Sequence, residues 1–421
     1  MADERGMWLN LKDWFGVSIL SKTWFTLTAS FPILDFNLDE FIRAFYAPVT
    51  RYGRRSFQNS FYRYIAVSGR ESFYDYIAYK TSRYCEQNES VHTFNLDTRI
   101  RDTREVEIID RCLGLILMKG VKVLGITVYA NSVCPLQKYR LPDLLWSASS
   151  LTSLTISSCE LPSSLTVDAV KFKSLKVLQL CEVPLDEEVI KCLNASCPLL
   201  EELSVDNCSG FKRFCIYGLQ NLERIWVSVL GIEKIDIEAP NLRECHIILQ
   251  DGEGNGKGRE DASPSLNLDL CKKTNNVKFS LVSFPDTERI DINTPNLLSF
   301  SYSDWPHVFE KNSLPLKACM DCYIMADVDT LWFQKLRRFL DKTNTFKNLK
   351  LQISMDSTAD SALKLIRSPP YQLEHVELDL FSTVNVAKAV EETLWCCRPR
   401  SLTLISDFSH DFEEQSRVVK M

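Results

Sequence analysis

The chain has 421 residues, 45% of them hydrophobic and 25% charged, which is the composition of a folded soluble protein. A formal net charge of −6 gives no electrostatic footprint for nucleic acid or an anionic membrane. No secretory signal is visible and no apolar run approaches the ~18 residues of a membrane span, so no membrane partner is expected and the cytoplasm or nucleus is the expected location.

The first block, Leu9 to Asp35, places Phe15, Ile19, Leu20, Trp24 and Leu27 near one face at helical spacing, with Asp13 available as N-cap and Pro32 closing the pattern. Lys12-Asp13, then Val17-Ser18-Ile19-Leu20-Ser21-Lys22-x-Trp24, then Phe31-Pro32-x-Leu34-Asp35-Phe36 resemble the second half of a plant F-box. The similarity is to the F-box proteins with leucine-rich repeats. In that family the F-box is a small helical module that docks on the Skp-type adaptor of a cullin-based ubiquitin ligase. The resemblance therefore implies an adaptor-binding surface on Ile19, Leu20, Trp24 and Leu27. The family's F-box opens with a Leu-Pro pair and an apolar helix, and Met1 to Trp8 contains neither, so residues 1–36 are read as a partial F-box.

Residues 37–90 form a connector rich in Tyr, Phe and Arg. Interleaved basic and aromatic residues can stack nucleic-acid bases. In the resembling family, however, this position holds a helix packed on the first coil of the repeats. Phe73, Tyr76, Ile77 and Tyr84 supply its apolar stripe, and no nucleic-acid partner is expected.

From Val91 a short apolar triplet returns along the chain: Val91-x-x-Phe94-x-Leu96, Val121-x-x-Leu124-x-Ile126, Leu151-x-x-Leu154-x-Ile156 and Leu175-x-x-Leu178-x-Leu180. Each is a short strand with two inward side chains behind a corner anchor. One such strand cannot bury its own face, so the units must stack. Val106, Ile109, Cys112, Leu113, Ile116 and Leu117 mark a covering helix, and Asp186 to Ala195 another that Cys197-Pro198 ends. Between Leu200 and Ile247 the step halves: Leu200-x-x-Leu203-x-Val205, Phe211-x-x-Phe214-x-Ile216, Leu222-x-x-Ile225-x-Val227, Ile232-x-x-Ile235-x-Ile237 and Leu242-x-x-Cys245-x-Ile247. Two strands per coil are expected there. Ile216, Ile237 and Ile292 then fall on a second wall, apart from Val205, Val227 and Ile247.

Gln250 to Ser265, with four Gly and mixed charge, is expected to be a solvated loop that interrupts the array. Ala239-Pro240-Asn241-Leu242 recurs as Thr294-Pro295-Asn296-Leu297, a repeated corner. Asp327 to Asp341 and Val384 to Trp395 read as helices, with strands at Leu349-x-Leu351-x-Ile353, Leu373-x-x-Val376-x-Leu378 and Leu402-x-Leu404. Pro369-Pro370-x-x-Leu373-Glu374-His375-Val376 and Cys396-Cys397-x-Pro399-x-Ser401-Leu402 resemble the FBD region of the same family. The expected fold is thus α/β: a leucine-rich-repeat solenoid (horseshoe) behind a short helical partial F-box. Its repeats occupy 91–325, an FBD-like region continues them over 326–406, and 407–421 form a tail.

No catalytic constellation is visible. The five His residues fit no metal or protease pattern, and Asp251 to Gly258 lacks the Lys-Ser/Thr ending of a phosphate loop. The 15 Cys lack the paired spacing of a disulfide scaffold or zinc module, and Cys159, Cys208 and Cys245 recur at fixed repeat positions. Cys319-x-x-Cys322 and the adjacent Cys396 and Cys397 are read as reduced structural thiols. No enzymatic activity, metal or cofactor is expected.

What remains is binding of a protein through the positions flanking each central apolar residue, which project from the concave sheet of a leucine-rich coil. These include Ser153, Thr155, Ser157, Gln179, Ser204, Ser228 and Glu244. The expected substrate-binding centre is Trp226 with Glu202, Asp206, Arg224 and His246, since a large aromatic among both signs of charge supplies area and orientation together. Two readings follow: a substrate receptor of an SCF-type ligase, or a repeat-only interaction scaffold that no longer docks the adaptor.

Overall fold

The computed structural model describes residues 33–46, 58–130, 138–162, 170–250, 265–269, 277–283, 289–293, 297–303, 309–312, 318–324, 333–334, 336–337, 340–341, 346–353, 369–380, 386–406 and 417–420. The chain is mixed α/β, built on parallel sheet, and divides into two compact units, Met1–Pro184 and Leu185–Met421.

In the first unit, strands β1 (Ile33–Asn37), β2 (Thr93–Ile100), β3 (Val123–Ala130), β4 (Ser153–Ser157) and β5 (Val177–Cys181) pair in that order, all parallel. The register aligns Leu34, Phe94, Leu124, Leu154 and Leu178 in one row and Phe36, Leu96, Ile126, Ile156 and Leu180 in the next, and all ten are buried. Alternation puts these side chains on one face, and each row removes from water what a single strand would leave exposed. The sheet therefore starts at Ile33, ahead of the Val91 expected from the triplets.

Helix α1 (Leu38–Tyr46) follows β1, and α2 (Gln58–Gln87) spans most of the aromatic connector. The expected stripe is in place: Phe73, Ile77 and Tyr84 are buried, and the Tyr76 ring lies 5.9 Å from that of Phe36 and 5.5 Å from that of Phe41. Arg70 on α2 is also buried. It makes hydrogen bonds of 2.5 and 2.7 Å to the two carboxylate oxygens of Glu105, and donates to the Arg99 carbonyl at the end of β2. Glu105 stands in the first turn of α3 (Thr103–Met118), which Asp102 caps by accepting from the Glu105 amide at 3.0 Å. Helix α3 buries Ile108, Ile109, Cys112, Leu113, Ile116 and Leu117; Val106, expected inside, is only half-buried, and Ile108 takes its share of the face.

In the second unit, α4 (Glu187–Ser196) is capped by Asp186, whose side chain accepts from Val189 at 2.7 Å. One sheet then runs β6 (Glu202–Cys208), β8 (Arg224–Leu230), β10 (Glu244–Gln250), β12 (Val277–Ser283), β14 (Leu297–Ser303), β16 (Ala318–Ile324), β17 (Phe346–Ile353), β18 (Tyr371–Leu380) and β19 (Cys397–Ser406), all parallel. Strand β20 (Arg417–Lys420), inside the expected tail, adds antiparallel to β19. A separate five-stranded parallel sheet holds β7 (Arg213–Ile216), β9 (Lys234–Glu238), β11 (Ser265–Asp269), β13 (Arg289–Asn293) and β15 (Phe309–Asn312). Ile216, Ile237 and Ile292 share one row of this second sheet, apart from the row of Val205, Val227 and Ile247, as the halved step requires. Its outer strand β7 meets α4, where Asn194 donates to the Cys215 carbonyl at 2.8 Å and satisfies an edge acceptor.

Near the C-terminus, Phe333, Leu336 and Leu340 are helical and buried, and α5 (Val386–Cys396) leads directly into β19. The Arg337 guanidinium lies 4.7 Å from the Trp395 ring and donates to its carbonyl at 2.9 Å.

Turning out of β4, β5 and β6 uses one device three times. Ser158, Glu182 and Asn207 adopt the left-handed conformation, with φ of 56°, 55° and 49°. A small buried residue follows each, Cys159, Val183 and Cys208. The Cys159 thiol donates back to the Ser157 carbonyl at 3.1 Å, and Cys208 does the same to Asp206 at 3.5 Å.

Candidate protein-interaction face

The expected substrate-binding residues stand on three consecutive strands of the second unit. Register puts Glu202, Arg224 and Glu244 in one row and Ser204, Trp226 and His246 in the next, with Asp206 beside Ser228 in the third. The core ladder lies between these rows: Leu203, Ile225 and Cys245, then Val205, Val227 and Ile247, are all buried, so alternation turns the named residues to the other face. Burial pushes the Cys245 thiol in that ladder far above its ordinary range.

On the outer face Trp226 is 42% exposed, a high value for tryptophan on a central strand. Its ring centroid lies 5.2 Å from that of His246, the planes inclined by 33°. The spacing is that of neighbouring strands, about 4.8 Å, so shared row position is enough to bring the rings together. In the adjacent row the Arg224 guanidinium forms an ion pair with Glu202. Asp206 and Glu244 are half-buried. The structure thus brings all five expected residues onto one face.

Ser228 departs from expectation. It has the outward parity of Trp226, yet it is 2% exposed, within a buried run from Val227 to Val229. The register slips there, where Asp206 faces Ser228 but Cys208 faces Val229, leaving Asn207 without a partner. This bulge ends the open face. In the first unit, Thr155 and Gln179 are side by side on the outer face with Thr155 Oγ1 3.3 Å from Gln179 Oε1, flanked by Ser153 and Ser157. The adaptor-binding residues Ile19, Leu20, Trp24 and Leu27 lie outside the described residues.

Residues 109–262 match the family model described as FBD-associated F-box protein At5g56370, LRR repeats. This stretch is similar to that repeat family. It runs from the middle of α3 to beyond β10 and so contains every residue of the Trp226 face. No curated protein gives a significant match to the chain.

Burial pushes the thiols of Cys112 to about 11 and of Cys159, Cys197 and Cys397 to about 12, so they are protonated and poorly nucleophilic near neutral pH. Among the described residues no three His, Cys, Asp or Glu side chains converge to hold a metal, and no helix is long and apolar enough to cross a membrane.

Proposed function

We propose that this chain is the substrate-recognition subunit of an SCF-type cullin ubiquitin ligase. Its two parallel ladders are the described parts of a leucine-rich-repeat solenoid. The Trp226 face with Glu202, Asp206, Arg224 and His246 takes the target protein, and Ile19, Leu20, Trp24 and Leu27 dock a Skp-type adaptor. The chain works by binding, in the cytoplasm or nucleus, and carries no catalytic role of its own.

The observation that carries this reading is the coincidence of the matched repeats with the exposed aromatic. The family so described is F-box-associated, and its matched segment includes a stretch where a large exposed aromatic and both signs of charge share a sheet face. A residue held open on a central strand is not needed for the core, whose ladders are complete without it. Burying such an aromatic on association supplies much of the affinity of a protein interface.

Pull-down of purified Skp-type adaptor by the full chain tests the ligase assignment. Binding is expected, and Leu20→Asp and Trp24→Ala should each weaken it at least about tenfold, the scale of a moderate hot spot. No binding by the unmodified chain overturns the ligase reading and leaves a repeat-only interaction scaffold.

A further inference from the structure

The long sheet of the second unit ends on β19 and β20. Strand β18 covers one edge of β19 along its whole length, from Tyr371 opposite Cys397 to Leu380 opposite Ser406. The other edge of β19 offers backbone N–H and C=O groups to any strand that approaches, the standing hazard of a sheet edge. Its two halves are protected differently. In the first half Arg398 and Arg400 are exposed, and Pro399 between them has no N–H to give an incoming strand. Ser401-Leu402-Thr403-Leu404-Ile405 follows with no charge and no proline, the composition of a segment that pairs readily. The residues that β20 pairs are Ser401 to Leu404, inside that unprotected half. Strand β20 also carries the marks of a terminator. It runs antiparallel, whereas the pairings from β6 to β19 in this sheet are parallel. The core row of Leu349, Val376 and Leu402 continues on Val419, but the row of Leu351, Leu378 and Leu404 ends on Arg417. A charged residue at a core-row position, with Lys420 beyond it, makes an edge strand a poor template for the next one.

We propose that β20 is a built-in cap, which seals the pairing-prone half of β19 and so keeps a second copy of this chain from adding edge to edge. The strand excluded is the β19 of another copy because two bare β19 edges are identical and can pair antiparallel about a two-fold axis, each Ser401–Ile405 segment lying against the other. Leu404 and Ile405 are only half-buried, so that encounter would also cover apolar surface. The cap and the residues before it divide the work. Arg398, Pro399 and Arg400 defend the half of the edge that β20 does not reach, and β20 covers the half that has no such residues.

Light scattering over a concentration series, on the full chain and on one lacking residues 417–421, reads the cap directly. The full chain should hold one mass, and the shortened chain should rise with concentration toward twice its monomer mass. Thr403→Lys in the shortened chain, which charges the bared edge, should return it to the monomer. Point variants of the full chain test the pairing without deleting anything. In an antiparallel pair only alternate residues turn their amides to the neighbouring strand, so of Val418→Pro and Val419→Pro one should associate as the shortened chain does and the other should behave as the wild type. This pair also decides the matter if the shortened chain fails to unfold cooperatively. A folded shortened chain that stays monomeric overturns the cap, as do two proline variants that behave alike. Association of the full chain equal to that of the shortened one overturns it too. Association that Thr403→Lys does not reverse lies away from this edge and overturns the choice of a second β19.

Discussion

Arg70→Met should be among the most destabilising single changes in the first unit, because it strands a buried carboxylate. The Arg70 and Glu105 side chains are 6% and 10% exposed, and two hydrogen bonds join them. Removing one partner of a buried pair costs about 3–5 kcal/mol. The lower end applies, since Glu105 would still accept from the Arg101 amide at 2.6 Å and would keep its place at the N-terminus of α3, where the helix dipole favours an anion. Glu105→Leu strands the guanidinium instead and also leaves the Arg101 amide without that acceptor, so about 3–5 kcal/mol is expected again. The double variant Arg70→Met/Glu105→Leu strands no charge. What it loses is the acceptor for Arg101 and one of the two donors on the Arg99 carbonyl, which keeps the Tyr74 hydroxyl at 3.0 Å. That amounts to about 1–2 kcal/mol. Urea unfolding of the wild type, both single variants and the double, followed by circular dichroism, closes the cycle. The double should be more stable than either single variant. Losses that simply add would mean that α2 is not clamped to α3 and β2 through this pair.

Ile235, 1% exposed in the row between Phe214 and Leu266, should tolerate Asp poorly, at a cost of several kcal/mol, while Glu238→Ala on the exposed end of the same strand stays within about 0.5 kcal/mol; equal urea midpoints would argue against the second sheet. Gly210→Ala should cost about 1–3 kcal/mol, because its φ is 101° and a Cβ would sit 2.5 Å from the Leu185 carbonyl oxygen. Gly125→Ala should cost less than about 1 kcal/mol, since the atom it meets is the movable side-chain oxygen of Asn95; the reverse order in thermal melts would contradict the corner geometry. Stability should also fall above pH 9. Burial raises the Cys159 thiol from 9.0 to about 12 and the Tyr74 hydroxyl from 10.0 to about 12, so the folded chain holds both protons more tightly than the unfolded one. Their contribution is complete below the unfolded values and is lost as pH rises toward 12, with a slope of up to ~1.4 kcal/mol per pH unit for each group. Urea midpoints that stay level from pH 8 to about 10.5 would refute the burial of these groups.

The ladders were legible because one physical requirement repeats. Leu200, Leu203 and Val205 are apolar for the same reason as Leu222, Ile225 and Val227: each strand of the parallel ladder must offer its neighbour the same anchor and the same two inward side chains. The strand that was overlooked, β1, obeys this grammar too. Phe31-x-x-Leu34-x-Phe36 is a complete triplet, but it overlaps the end of the F-box resemblance, and that reading absorbed it. Left-handed corners at Ser158, Glu182 and Asn207 were less accessible, since three different residue types occupy them and only the small residue behind, Cys159, Val183 or Cys208, marks the place. Ser228 shows the limit of alternation: its parity is outward, yet it is buried within the run from Val227 to Val229, next to the register slip at Asn207.

The candidate site was legible as a list of residues and not as an arrangement. Outward positions carry no packing requirement, so the sequence shows only that Trp226 and His246 each follow an anchor by the same number of residues. Whether they meet depends on register. In a parallel ladder locked by Leu203, Ile225 and Cys245, a slip of one residue would turn every inward side chain to water, so the core forbids it. The same lock that buries the ladder therefore fixes Trp226 beside His246 and opposite Ser204. Any partner that reads this face reads the register of the core beneath it, and a core substitution that shifts β8 should weaken recognition without touching a contacting residue.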